Sequence, residues 1–333
     1  MIDNIPLRRR YAGCLLLIAF GLALAATAHA KDSGKVFVSS EKDNALTVID
    51  AKTMVVTGVI KTCKRPRHMK LIEGNTKLMV ACGDSNKADI IDVASGKSVA
   101  RIAFGDDPEV FDLSLDGKTA YLSAEDEGAL TIVDVATGKS LKSVPVGKEP
   151  EGVLTSPDGK RVYVTSEVAN MIHVVDPVAG TVIKNIAVGK RPRRMILAAD
   201  GAELWVTNEL GSSVSIVSTK DLNVIDTLKF EIKGMRADDI SPVGIALAPD
   251  GKTAFVGLGR ANHVAWVDVA SRKLTNTVLV GKRAWYVALT RDGSRMFVAN
   301  GLSDDVTVVD VAAVKALKSI PVGRVPYGVV IDD

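Results

Sequence analysis

Three regularities in the 333 residues predict an all-β chain folded as a seven-bladed β-propeller. A strand-ending Asp recurs at Asp50, Asp92, Asp134 and Asp176, gives way to Ser218, and returns at Asp268 and Asp310, so every spacing is 42 residues except one of 50. An aromatic residue or Met keeps step at Phe37, Met79, Tyr121, Tyr163, Trp205, Phe255 and Phe297. A Pro follows at Pro66, Pro108, Pro150, Pro192, Pro242 and Pro326, with Ala284 in its place once. Units of this length cannot bury both faces alone, but gain a core by stacking radially.

The elements of one unit are clearest over residues 152–188, where β-rich runs occupy 152–156, 161–166, 171–176 and 182–188. The first turn, Ser156-Pro157-Asp158-Gly159, is repeated as Ser114-Leu115-Asp116-Gly117, Ala248-Pro249-Asp250-Gly251 and Thr290-Arg291-Asp292-Gly293. Asp supplies the local hydrogen bond and Gly the positive φ of a tight hairpin. Stacked helical repeats would instead show a 3.6-residue period. Eight extra residues fall between Ser218 and Pro242, so 231–241 forms an insertion, expected to be a lid or docking loop over one face. The sequence from Lys35 opens on a second-strand motif and ends on an unpartnered first-strand motif at 326–331, which predicts that the C-terminal strand completes the first blade. Closure removes exposed sheet edges.

Residues 1–30 stand apart. Arg8, Arg9 and Arg10 precede an uncharged run over 12–26 and an Ala28-His29-Ala30 exit, the order of a cleavable secretory signal, with cleavage expected after Ala30. A run of about 15 residues is short for a bilayer span. Export to the periplasm or medium follows, leaving residues 31–333 as a single propeller domain with no stable membrane span. The whole chain carries a net charge of +3, too near neutral for a dedicated nucleic-acid surface.

The strings V-Y-V-T-S (162–166), L-W-V-T-N (204–208) and M-F-V-A-N (296–300), with V-T-V-V-D (306–310) and I-P-V-G (320–323), resemble YVTN-type β-propeller repeats of exported bacterial proteins. The resemblance covers the chain beyond residue 30 and is strongest to the propellers associated with PQQ-dependent catabolism. It implies a binding or accessory protein for quinoprotein oxidation, with PQQ as one ligand and a periplasmic quinoprotein dehydrogenase or cytochrome as partner. Similar blades occur in d1-haem proteins and lactonases, so a d1-type haem or tetrapyrrole binder and a lactonase-like hydrolase stand as alternatives.

Chemistry is not announced by any motif: Cys-x-x-Cys-His, G-x-S-x-G, H-E-x-x-H, a P-loop and an EF-hand loop are all absent. Beyond residue 30 the imidazoles are His68, His173 and His263, the last two at structural or peripheral positions. In an antiparallel meander the fourth-to-first and second-to-third connections emerge on one face. There, just after the Pro marker, stand Arg67 and His68, Glu109, Glu151, Arg193 and Arg194, Trp285 and Tyr286, and Tyr327, which do not repeat between blades. Glu41, Glu125, Glu167 and Glu209 join them from second-strand ends. A solvated, charge-paired rim is one reading. The other is a ligand site, in which Arg67, Arg193, Arg194 and His68 grip carboxylates and Trp285 or Tyr286 stacks on a planar ring. PQQ combines these features, whereas a d1-type haem would look to His68 as axial ligand.

Cys63 and Cys82 lie 19 residues apart. A hairpin about Glu73-Gly74-Asn75 places them near each other on the same face, which makes a disulfide enclosing Arg67 and His68 the expectation, against two separate thiols.

Overall fold

The computed structural model describes Met1, residues 32–198 and residues 200–333. The expected export signal, apart from Met1, lies outside the described residues. Seven four-stranded antiparallel sheets form the blades of a propeller, and among the described residues there is no α-helix, only three single 3-10 turns. Blade two shows the pattern: Pro66–Ile72 innermost, then Lys77–Cys82, Lys87–Asp92 and, outermost, Lys97–Ala103. In blade one the innermost strand is Pro326–Asp332, paired to Lys35–Ser40 with Lys35 opposite Asp332 and Val36 opposite Ile331. Among the described residues no helix is long and apolar enough to cross a membrane.

The periodic residues build the ring. Each in-phase aromatic or Met packs onto the next blade: Phe37 against Leu78 and Val80, Met79 against Phe111 and Leu122, and Phe297 back against Val36 and Val38. Full burial of such a side chain contributes about 2–3 kcal/mol. The strand-ending Asp shapes the outer hairpin, because the Asp50 carboxylate accepts from the Thr53 amide at 2.7 Å, and Asp92, Asp134 and Asp268 do the same for the residue three further on.

The insertion does not reach the mouth cavity. None of residues 231–241 lines the mouth of the channel. Phe230 and Ile240 at its two ends are buried in the apolar core shared by blades five and six, and Ser212 of the second-to-third turn of blade five donates to the Ala237 carbonyl at 2.6 Å. Blade six retains only a short inner strand, Ile245–Leu247.

Candidate functional site

The functional geometry begins with a register defect. In blade two Pro66 pairs with Cys82 and the next pair is Met69 with Val80, so Arg67 and His68 sit in a β-bulge. The same break isolates Glu109 and Val110, Glu151 and Gly152, Arg193 and Arg194, Trp285, and Tyr327 with Gly328. Bulges re-aim side chains. Here the first residue of each pair turns to the channel mouth, while the second lines a deeper cavity wherever it carries a side chain that reaches it. Arg67, Glu109, Glu151, Arg193, Trp285 and Tyr327 line the mouth; His68, Val110, Arg194 and Tyr286 line the deeper space.

Second-strand hydroxyls fix these bulges. Ser123 Oγ accepts from the Val110 amide at 3.1 Å and donates to the carbonyl of Glu151 in the next blade at 2.8 Å. Thr165 likewise ties Gly152 to Arg193, and Thr207 ties Arg194 to Val243. Gly152 must lack a side chain, because a Cβ there would lie 2.2 Å from the Arg193 carbonyl oxygen. A further ring of residues stands just before the Pro marker with positive φ: Arg65, Asp107, Arg191 and Arg283. Each donates its amide to an Asn side chain of the preceding blade, Asn44, Asn86, Asn170 and Asn262. Sequence reasoning passed over this ring, although its position immediately before an in-phase Pro or Ala was the available signal.

The mouth is a polar cavity of about 220 Å³ lined by five carboxylates, Glu41, Glu109, Glu125, Glu151 and Glu167, and five guanidinia, Arg65, Arg67, Arg191, Arg193 and Arg283. Most are already paired. Arg67 binds Glu41 at 2.8 Å and also contacts Glu109; Arg65 forks onto Asp107 at 2.8 Å; Arg191 reaches Glu167 at 2.6 Å; Arg193 contacts Glu167 and lies 3.6 Å from Glu151. Glu209 stands behind, 3.3 Å from Arg191. Burial alone would raise the Glu151 carboxyl, but Arg193, Arg194 and Arg67 hold it down to about 2. Among the described residues, Glu125 and Arg283 are the lining members with no ion pair. Burial raises the Glu125 carboxyl, with Glu151 adding to it, and burial depresses the Arg283 guanidinium, which lies 3.9 Å over the Trp285 ring. Asp107, Glu109 and Glu125 converge within 4.8 Å, but Arg65 and Arg67 hold the first two, which makes the cluster part of an ion-pair network.

A layer closes the floor of the mouth. Tyr327 of blade one brings its hydroxyl to Glu109 at 3.2 Å, to Glu151 at 3.1 Å and to Arg194, whose other nitrogen meets Glu151 at 2.5 Å. Those contacts join blades one, three, four and five across the channel. Beneath lies a second cavity of about 310 Å³. The grouping expected from sequence therefore divides: His68, Arg194 and Tyr286 do not line the mouth. Their neighbours Arg67, Arg193 and Trp285 do, because consecutive residues of a bulge cannot share one direction.

The aromatic platforms are also engaged. Arg193 and Arg283 lie over Trp285, and Arg67 and Arg194 over Tyr327. Cys63 and Cys82 are joined by a disulfide with Cα atoms 5.8 Å apart, closing the loop that holds Arg67 and His68. His173 pairs with Asn185 at 2.8 Å within blade four, and His263 with the Ala261 carbonyl at 2.6 Å, both away from the channel.

Comparison with known proteins agrees with this architecture. The family model of the Choice-of-anchor I domain matches residues 36–296, and the chain belongs to that family. No curated protein is recognisably similar in sequence. Among solved structures, hydrazine synthase of Kuenenia stuttgartiensis superimposes with a TM-score of 0.75 at 23% identity, covering 84% of this chain and 93% of that one. The periplasmic gluconolactonase PpgL of Pseudomonas aeruginosa gives 0.75 at 21% identity, covering 90% and 99%. The dihydro-heme d1 dehydrogenase NirN gives 0.68 at 14% identity, covering 91% and 76%. At these identities the likeness is one of fold.

Proposed function

We propose that this propeller is a binding protein whose channel mouth holds a small, neutral, polyhydroxylated molecule: an alcohol, sugar or lactone of the kind a periplasmic PQQ-dependent dehydrogenase oxidises or releases. The observation that carries it is the internal charge balance of the mouth, five carboxylates against five guanidinia, most already paired. Hydroxyl groups both donate and accept, so a polyol meets such a surface without displacing an ion pair, and Glu125 and Arg283 offer it one free acceptor and one free donor group.

PQQ itself fits this mouth poorly. Its carboxylates would have to take guanidinia from Glu41, Glu151 and Glu167, and a buried carboxylate stripped of its partner costs several kcal/mol. The rings on which it would stack are covered by guanidinia. A d1-type haem fits no better, since among the described residues no imidazole lines the mouth. The exported setting and a dehydrogenase or cytochrome partner belong to the same proposal. They are supported by the basic-apolar-small order of residues 8–30 and by the Cys63–Cys82 bridge, a bond that persists in oxidising compartments.

Lactone hydrolysis is a second reading favoured by one observation, the unpaired Glu125 carboxyl, raised by burial and so suited to general acid–base work. Calorimetric titration with glucose, glucono-1,5-lactone, gluconate and PQQ tests both. The neutral ligands should bind and PQQ should not, with Glu125→Gln and Arg283→Ala each weakening binding roughly three- to tenfold. Tighter binding of PQQ than of the sugar overturns the proposal. Gluconate release above the spontaneous rate, lost in Glu125→Gln, would establish hydrolysis.

A further inference from the structure

The deeper cavity has a different chemistry from the mouth and no residue in common with it. Its walls are mainly apolar: Met69, Val110, Phe111, Val153, Leu154, Met195, Ile196, Ile245 and Val287. The polar groups gather at the end beneath the Tyr327 layer, namely His68, Arg194 and Tyr286. At the other end Lys70 and Asp112 form an ion pair and line both this cavity and an open depression on the opposite face of the ring. That end supplies an entrance independent of the mouth. An apolar pocket with a few convergent polar groups is the usual form of a small-molecule site.

We infer that this lower half of the channel is a second binding site, entered from the face opposite the mouth, for a small uncharged ring compound bearing one oxygen, such as a phenol or a cyclic ketone. Size supports a single ring with substituents, because about 310 Å³ is twice the roughly 150 Å³ of an apolar cavity that accepts benzene. Charge supports a neutral head group. Arg194 is already neutralised by Glu151 on its mouth side, so the cavity does not call for an anion. His68 is held as neutral imidazole, its pKa brought down to about 3 by burial and by Arg194 and Lys70; Tyr286 stays protonated because burial raises its pKa. His68 Nδ1 is buried without a partner among the described residues, and the ring stands edge-on to Phe111 with centroids 5.0 Å apart. That contact sets the imidazole edge-on to the Phe111 wall of the cavity. The phenol of Tyr286 supplies the second hydrogen-bonding group, and the aliphatic and Phe111 surfaces take the ring.

The probes are 4-methylphenol, toluene and 4-methylbenzoate, titrated into the purified protein by ligand-observed NMR and calorimetry. The phenol should bind more tightly than toluene by roughly three- to tenfold, the contribution of one neutral hydrogen bond, and the benzoate should bind least. Leu154→Trp, which fills the cavity, should abolish phenol binding, and His68→Phe should narrow the gap between phenol and toluene to the share of Tyr286. Sugar or lactone binding at the mouth should be untouched by either. If Leu154→Trp does not fold, a crystal soaked in 4-bromophenol decides by its anomalous bromine peak, expected between Phe111, Val153 and Tyr286. Benzoate binding tighter than phenol, unchanged phenol affinity in folded Leu154→Trp, no binding of any probe, or a bromine peak elsewhere would each overturn the inference.

Discussion

Above the Tyr327 layer the channel wall is a lattice of guanidinia and carboxylates, and below it the wall is aliphatic with a neutral imidazole and a phenol. Both halves come from the same bulges, often from adjacent residues: Arg67 and His68, Arg193 and Arg194, Trp285 and Tyr286. A two-residue bulge thus specifies two environments at once, and the layer of Glu109, Tyr327, Glu151 and Arg194 keeps them apart. The mouth keeps its groups charged by pairing them, whereas burial below, with Arg194 and Lys70 nearby, is what holds His68 neutral.

The strongest way to break the contrast is to remove the layer together with the strand that carries it. Deleting residues 326–333 takes away Tyr327 and the innermost strand of blade one, leaving Lys35–Ser40 as an open inner edge. Cooperative thermal unfolding should be lost; a truncated chain with an unchanged melting temperature would refute closure by this strand. A narrower cut is Arg194→Met. It leaves the buried Glu151 with Arg193 at 3.6 Å as its one ion-pair partner beside the Tyr327 hydroxyl, so the expected loss is about 3–5 kcal/mol, roughly 6–10 °C in melting temperature. A loss under 1 kcal/mol by denaturant titration would mean that the layer contributes little to the fold.

The next effect is the disulfide. Reduction opens a loop of 19 residues and should cost about 3 kcal/mol in the chain-entropy model. Because the loop carries Arg67 and His68, reduction should loosen both halves of the channel, seen as weaker sugar and phenol binding together. Loss of one without the other would show that the bridge supports one wall of the channel alone.

How much of this was legible follows from what repeats. The blades could be read because each periodic residue does the same local work seven times: the aromatic packs on the next blade, and the Asp turns the outer hairpin. The membership of the channel could be read from its failure to repeat. Its division could not, because a bulge is a register defect and the composition of Arg67-His68 does not say which side chain goes up. Nor could the layer, since Tyr327 meets Arg194 and Glu109 across 133 and 218 residues of sequence. The insertion did carry an unread signal: apolar Phe230 and Ile240 at its ends meant anchorage in a core, not a free lid. Ser39, Ser123, Thr165 and Thr207 also keep the 42-residue phase or its multiples, and that phase marked the bulge clamps.

The smallest expected effect separates the two halves by pH. His68 has a folded pKa of about 3 against an ordinary 6.5, so between those values the unfolded chain binds a proton that the folded one refuses. Stability therefore falls as pH drops below 6.5. Glu151, at about 2 against an ordinary 4.5, acts in the same direction but only below 4.5, where the carboxyl protonates in the unfolded chain while Arg193 and Arg194 keep it ionised in the folded one. The interval from pH 6.5 to 4.5 thus reports the lower cavity, offset by Glu125, whose carboxyl is raised by burial and acts with the opposite sign, and the interval below it adds the layer. His173, also depressed by burial, contributes to the upper interval with the same sign. Denaturant titrations should show a loss on the order of 2 kcal/mol from His68 between pH 7 and 4.5. His68→Phe should flatten that part of the curve to the combined share of His173 and Glu125 and leave the steeper fall below pH 4.5 in place. An unaltered slope in His68→Phe would mean that burial does not depress the imidazole in the folded protein, and the distinction between a neutral lower half and an ion-paired mouth would fail at the residue on which it most depends.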